Sequence, residues 1–218
     1  MTGAQPRLDS RLAAPVRPAR ALEAAPRRLS ILHVITRLDR GGSSDCTLLQ
    51  AIAAARRGHR VVIASGPAAA VTPLFQAAGK EPGLRFAPIA TLRREVNPLD
   101  DLRSLRALLR LLRATRFDII HTHTSKAGAL GRIAAALAGR RTALLHQPHG
   151  HLFYGYYGRF GTAALLLAER LLAPLSRIIV TLSWRGAEEH LSRGVGRPDQ
   201  FRVIRSGKIG RASCRERV

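Results

Sequence analysis

Short, continuously apolar stretches alternate along this chain with longer segments in which apolar residues recur every three or four positions. Residues 30–36 (SILHVIT), 60–65 (RVVIAS), 84–89, 117–121 (FDIIH), 142–146, 177–182 (RIIVTL) and 201–204 are short and mostly rich in β-branched side chains, and read as strands. Helices are expected between them, over 45–57, 71–78, 98–115, 127–137, 161–175 and 184–193. Asp45 is placed to cap the first, with Leu48, Leu49, Ile52 and Ala53 on one face. The 98–115 segment carries leucines at 99, 102, 105, 108, 109 and 112 and arginines on the opposite face. Strands that are apolar throughout, separated by helices, require a parallel sheet covered on both sides. The expected fold class is α/β, a doubly wound, Rossmann-like sheet of about seven strands.

Composition narrows this picture. The 218 residues hold 36 basic and 14 acidic side chains, a formal charge of +22. All but three of the basic residues (Lys80, Lys126 and Lys208) are arginine, set among abundant alanine; both have GC-rich codons, so genome composition alone could inflate the charge. Residues 1–29 carry six Arg and four Pro with no apolar centre, and read as a basic, flexible lead-in, not a secretory signal. No apolar run reaches the ~18 residues of a membrane span; the longest, 161–180, is broken by Glu169-Arg170. Cys46 and Cys214 allow neither a disulfide framework nor a CxxC site. Residues 208–218 abandon the periodicity, and 209–218 match the in-frame translation of a common sequencing adapter. They are expected to be an assembly scar, with natural sequence continuing past Gly207. With +4 on 1–29 and +3 on 208–218, +15 remains on the 30–207 domain.

Ligands of doubly wound sheets bind outside the carboxyl ends of the strands, which singles out the loops there. Gly41-Gly42 follows the first strand and opens a helix, where bare backbone N–H groups can approach a phosphate or sugar, or simply make a turn. Neither GxGxxG nor GxxxxGK[ST] is present, which disfavours a dinucleotide cofactor and excludes a P-loop. His121-Thr-His123 ends the fourth strand with both imidazoles on one side, and His149-Gly-His151 follows the fifth. With no Asp, Glu or Cys in either loop a metal site is disfavoured. General-base or hydrogen-bonding work, or plain packing at a sheet edge, remain open. Residues 153–160 hold five of the ten aromatics, including Tyr154, among glycines, and suit a flap over a sugar, a membrane-interface contact or a packed-down loop. Glu188-Glu189 and His190 read as helix surface.

In these stretches the chain resembles the N-terminal domain of a bacterial family 4 glycosyltransferase of the polysaccharide-assembly kind. The residues are ILHVITRLDRGGSSDCTLL (31–49), RREVNPLDDL (93–102), FDIIHTHTSKAGALGRIAA (117–135), HQPHGHLFYGYYG (146–158) and FRVIRSG (201–207). The resemblance implies a GT-B architecture, with two Rossmann-like domains around a cleft, and configuration-retaining transfer from a nucleotide sugar to a glycan or lipid-linked acceptor. It implies no cofactor or metal. It places Gly41 and Gly42 at the donor phosphates and His149 beside the transferred sugar, steadying developing charge. His121, Lys126 and Glu95 would line the cleft or support its loops. Ser43-Ser44-Asp45 departs from the family, which often has an acidic or amide residue sooner. The donor-binding domain with its ExxxxxxxE motif is not found, so this stretch alone is expected to fold without activity. A cytoplasmic location is implied, with the basic domain drawn to an anionic membrane face. A different GT-B enzyme such as a sugar-nucleotide epimerase, or a basic nucleic-acid-binding domain, are the alternatives. The scattered arginines and single aromatic loop speak against nucleic acid.

Overall fold

The computed structural model describes residues 27–68, 70–139, 142–149 and 158–205. Seven strands form one sheet: β1 (Ser30–Ile35), β2 (Arg60–Ser65), β3 (Leu84–Pro88), β4 (Ile119–His123), β5 (Ala143–Gln147), β6 (Ile178–Thr181) and β7 (Phe201–Val203). Their order is β3-β2-β1-β4-β5-β6-β7, and every pairing is parallel. The expected α/β, doubly wound class is therefore the observed one. The order reverses between β1 and β4, where diverging connections leave a crevice at the carboxyl ends.

Six helices connect the strands: α1 (Gly42–Arg56), α2 (Pro73–Gly79), α3 (Pro98–Ala114), α4 (Ser125–Ala138), α5 (Arg159–Leu172) and α6 (Trp184–Ser192). Strand alternation sends Ile35, Val61 and Ile63 to one face, where they pack with Leu48, Ala51, Ile52 and Ala55 of α1 and Ala78 of α2. Leu32, Val34 and Ala64 point the other way, against Leu108 and Leu112 of α3 and Ala127 and Ala134 of α4. A third cluster joins Ile179 and Phe201 to Ala187 of α6.

A helix start and a strand end differ from expectation. α1 begins at Gly42 with Gly41 as its N-cap, so Asp45 lies in the first turn and does not cap it. β4 runs to His123, so both of its histidines belong to the strand. Asn97 and Thr72 cap α3 and α2 by accepting backbone N–H bonds, each ahead of a proline that already fixes the helical φ. The first turns of α3 leave Leu99 and Leu102 exposed; its buried positions are Ser104, Leu108 and Leu112.

Gly66, just past β2, is a tight point of the rim. A Cβ there would stand 1.7 Å from the Leu92 carbonyl oxygen and 2.6 Å from that of Thr36. Both obstacles are backbone, and the Gly66 N–H already donates to the Thr36 oxygen at 3.0 Å. Gly66→Ala is therefore expected to cost about 3 kcal/mol, lowering Tm by roughly 6–12 °C. Gly79→Ala, in the last turn of α2 with open space around it, is the control and should not lower Tm. Equal melting of the two variants would contradict this reading.

Candidate functional site

The β1–β4 register sets His33 directly against His121, and residues in register share a face. Period-two alternation adds His123 to the same side. His33 Nδ1 lies 2.9 Å from His123 Nε2, and His123 Nδ1 lies 2.8 Å from Nε2 of His149, two residues beyond β5. His121 packs against this row, its ring centroid 4.2 Å from that of His123 and 5.3 Å from that of His33. His123 is wholly buried and His33 is 3% exposed.

Burial penalises the imidazolium form, so each of these rings is held neutral. Desolvation lowers the pKa of His33 and of His149 to about 4. For His121 and His123 it pushes the pKa well below the usual range, and the neighbouring imidazoles push further the same way. At neutral pH each ring therefore offers one N–H donor and one lone-pair acceptor.

Among the described residues, two that are not glycine have positive φ, and both sit at this rim: His149 (φ 57°) and Thr124 (φ 61°). Thr124 also has ψ 165°, a region otherwise nearly reserved for glycine. Each costs on the order of 1–3 kcal/mol and persists only where surroundings over-determine it. Those surroundings are visible here. The Thr124 N–H donates to the Gln147 carbonyl at 3.1 Å, and its hydroxyl lies 2.8 Å from that of Thr36. His149 is held through His123.

The other expected residues fall around this core. Gly41 and Gly42 are exposed, no side chain caps α1, and a Cβ at either glycine would meet nothing within 4 Å. The two glycines thus leave open space around the start of α1. Gln50 ties α1 to the site by donating to Gln147 Oε1 at 3.2 Å, and its amide also lies 3.1 Å from Cys46 Sγ. Lys126 and Glu95 do come together, but through the Glu95 backbone: the ammonium donates to its carbonyl and pairs with Asp101 at 2.5 Å. The Glu95 residue is itself exposed. His121 lies beneath the rim as packing for the histidine row. Tyr154, with His151 and most of the aromatic loop, lies outside the described residues.

A second polar cluster occupies the opposite face. Arg132 of α4 donates through Nη2 to both carboxylate oxygens of Glu169 of α5, at 3.0 and 2.8 Å, and through Nε to the Gly128 carbonyl. His146 approaches Glu169 at 3.7 Å, and its Nδ1 lies 3.0 Å from the Thr122 hydroxyl. Gly128 and Gly131 make room for it: a Cβ at 128 would sit 2.4 Å from His146, and one at 131 would sit 2.6 Å from Thr122. Glu169 thus does more than interrupt an apolar run. His190, expected at the surface, is 4% exposed, with Nδ1 2.7 Å from the Gly186 carbonyl. Its neighbour Glu189 pairs with Arg193 at 3.4 Å.

Sequence reasoning missed His33, hidden inside an otherwise apolar strand, and the Arg132–Glu169 pair. A lone histidine in SILHVIT, the single arginine inside GALGRIAA and the Glu169-Arg170 pair inside LLLAERLL were the available signals. His33, His121 and His123 bring three ligand atoms within 4.8 Å of one another. The 2.9 Å between His33 and His123 is a hydrogen-bond length, whereas two imidazole nitrogens on a tetrahedral zinc, each ~2.0–2.1 Å from the ion, stand about 3.3–3.4 Å apart. The geometry is that of a hydrogen-bonded chain with a neutral imidazole at its outer end. Such a group suits hydrogen bonding to a hydroxyl, proton transfer or shielding of developing charge.

A 65-residue stretch, 30% of this chain, is 46% identical to the Escherichia coli UDP-Gal:alpha-D-GlcNAc-diphosphoundecaprenol alpha-1,3-galactosyltransferase, of which it covers 16%. The fold is similar to that of a glycosyltransferase from Rickettsia africae, with a TM-score of 0.60 and 18% identity over 83% of this chain and 44% of that one. It is also similar to a UDP-N-acetylglucosamine 2-epimerase, with a TM-score of 0.56 and 14% identity over 81% of this chain and 48% of that one. The chain thus spans less than half the length of these solved structures and a sixth of the curated relative. At these identities the structures establish the fold alone. The family model for the Glycosyl transferase 4-like domain matches residues 41–207, from the glycine turn through the histidine rim to the end of the sheet. The chain belongs to that glycosyltransferase family.

Proposed function

We propose that this domain is the acceptor-side half of a retaining, nucleotide-sugar-dependent glycosyltransferase that builds a lipid-linked glycan for a cell-surface polysaccharide. The observation that carries the reading is the family match across 41–207; the strained backbone of His149, just beyond β5, supports it. The E. coli relative, named for a UDP-galactose donor and a diphosphoundecaprenol-linked acceptor, supports the donor and acceptor classes. In this reading the donor is gripped by a second Rossmann-like domain across the cleft. The open first turn of α1 at Gly41 and Gly42 receives its phosphates, and His149 hydrogen-bonds the transferred sugar. Lys126 steadies the β3–α3 connection through Glu95 and Asp101. Tyr154 and its loop cover the acceptor. No metal or cofactor takes part.

No helix among the described residues is long and apolar enough to cross a membrane. The charge of +15 on residues 30–207 would hold the domain at an anionic leaflet on the cytoplasmic side, at ~1 kcal/mol per well-placed cation.

The test uses the full reading frame of the gene with UDP-sugars and a polyprenyl-diphosphate-linked sugar on vesicles. Acceptor-dependent UDP release is expected, faster on anionic than on neutral vesicles, and His149→Ala should reduce it about 10²–10³-fold. The epimerase fold neighbour motivates one rival outcome. Interconversion of a UDP-sugar without acceptor would replace the transferase reading.

A further inference from the structure

His149 has two ring nitrogens in different situations. Nε2 faces His123 at 2.8 Å, while Nδ1 has no hydrogen-bond partner among the described residues. Behind it, His123 is fully buried and uses both of its nitrogens, one toward His149 and one toward His33.

A row of three neutral imidazoles joined by two N–H···N bonds has two proton orders. In one, His33 Nδ1–H donates to His123 Nε2, His123 Nδ1–H donates to His149 Nε2, and His149 presents Nδ1–H outward. In the other every bond is reversed, and His149 presents a bare Nδ1 lone pair. A mixed order sets two N–H groups, or two lone pairs, against each other at under 3 Å in a buried space. Leaving such a group unsatisfied costs about 1–3 kcal/mol, so the three tautomers are coupled. The left-handed backbone of His149 keeps its ring turned toward His123, and His121 walls the row by ring contact with no hydrogen bond to it.

We propose that His33 and His123 are positioning residues that fix the tautomer of His149, and thereby decide whether its Nδ1 meets a ligand hydroxyl as donor or as acceptor. His33, wholly inside β1, thus acts on a rim that it does not touch. The ordering stands on the geometry of the row; its use on a sugar hydroxyl rests on the transferase reading above.

The test is NMR of the 218-residue chain labelled with ¹⁵N at histidine. Couplings across N–H···N bonds are expected between His33 and His123 and between His123 and His149, with the mixed proton orders populated about tenfold or more below the two ordered ones. His33→Phe removes the terminal nitrogen and should shift the His149 tautomer ratio by about threefold or more. His33→Asn, which can donate or accept, should return the ratio toward the wild-type value. His121→Phe should leave it unchanged. Absence of the couplings in the wild-type chain overturns the proposal, as does an unchanged His149 tautomer ratio in folded His33→Phe. A stoichiometric metal ion bound at His33, His121 and His123 would overturn it too. The wild-type couplings decide the matter even where a variant fails to fold. Couplings without transfer activity would leave the row intact and remove the transferase reading instead.

Discussion

Acidification from pH 7.5 to 5 is expected to unfold this domain. Six of its eight histidines have pKa values lowered by burial: His33, His121, His123, His146, His149 and His190. Above pH ~6.5, the ordinary histidine value, these rings are neutral in both the folded and the unfolded chain, and they add no pH dependence. Below it the unfolded chain binds protons that the folded chain refuses. Stability then falls with pH at about 1.4 kcal/mol per pH unit for each such ring. For His33, the fall runs from the unfolded value down to about 4 and totals roughly 3 kcal/mol. Several rings acting together lose more in one pH unit than the lower part of the ~5–15 kcal/mol stability range of a typical domain. Urea midpoints at pH 7.5, 6.5, 5.5 and 5.0 check this, with net proton uptake on unfolding as the second readout. The midpoint should be flat above pH 7 and should collapse below 6. A midpoint constant between 7 and 5 would mean that the histidines are not buried as described.

Removing either partner of the Arg132–Glu169 pair is the second large expected effect. Arg132 is wholly buried and Glu169 is 2% exposed. A bare guanidinium or carboxylate left at that place has neither water nor counter-charge. Arg132→Ala and Glu169→Ala are each expected to cost ~3–5 kcal/mol, a Tm drop of roughly 6–20 °C. The double replacement Arg132→Met with Glu169→Leu removes both charges and keeps volume, and should recover much of the loss. Guanidinium unfolding of the four proteins closes the cycle; additive losses would show that the two side chains do not interact. His146 should register the change as well, since the charge of Arg132 is the second cause, after burial, of its lowered pKa. Glu169→Ala leaves that cation without its carboxylate and lowers the pKa further, whereas Arg132→Ala raises it.

Much of the architecture is legible from one-dimensional pattern. An all-apolar run such as RVVIAS can be satisfied only with both faces covered, and the helices between such runs force parallel pairing. That logic reaches the sheet, its class and the carboxyl-end loops. It also reaches Gly41, Gly42, His121 and His149 as candidates, because period two and strand ends are local properties. Helix and strand ends are less legible. Asp45 has the chemistry of a cap, yet Gly41 takes the position, because the chain turns into α1 at φ 152°, which a glycine accommodates.

What the sequence determined by itself is whatever depends on neighbours along the chain: the strand and helix alternation, the parallel sheet, and the concentration of histidines near one end of it. Tertiary structure alone decided which of those residues meet. His33 and His123 are ninety residues apart, and nothing in SILHVIT marks its histidine until the β1–β4 register places it against His121. Arg132 and Glu169 are ordinary charges in largely apolar helices until α4 and α5 bring them into contact. Hydrophobic pattern is additive along the chain and can be read in order. A hydrogen-bonded chain or a buried ion pair depends on separations of about 3 Å, which only register and helix packing supply.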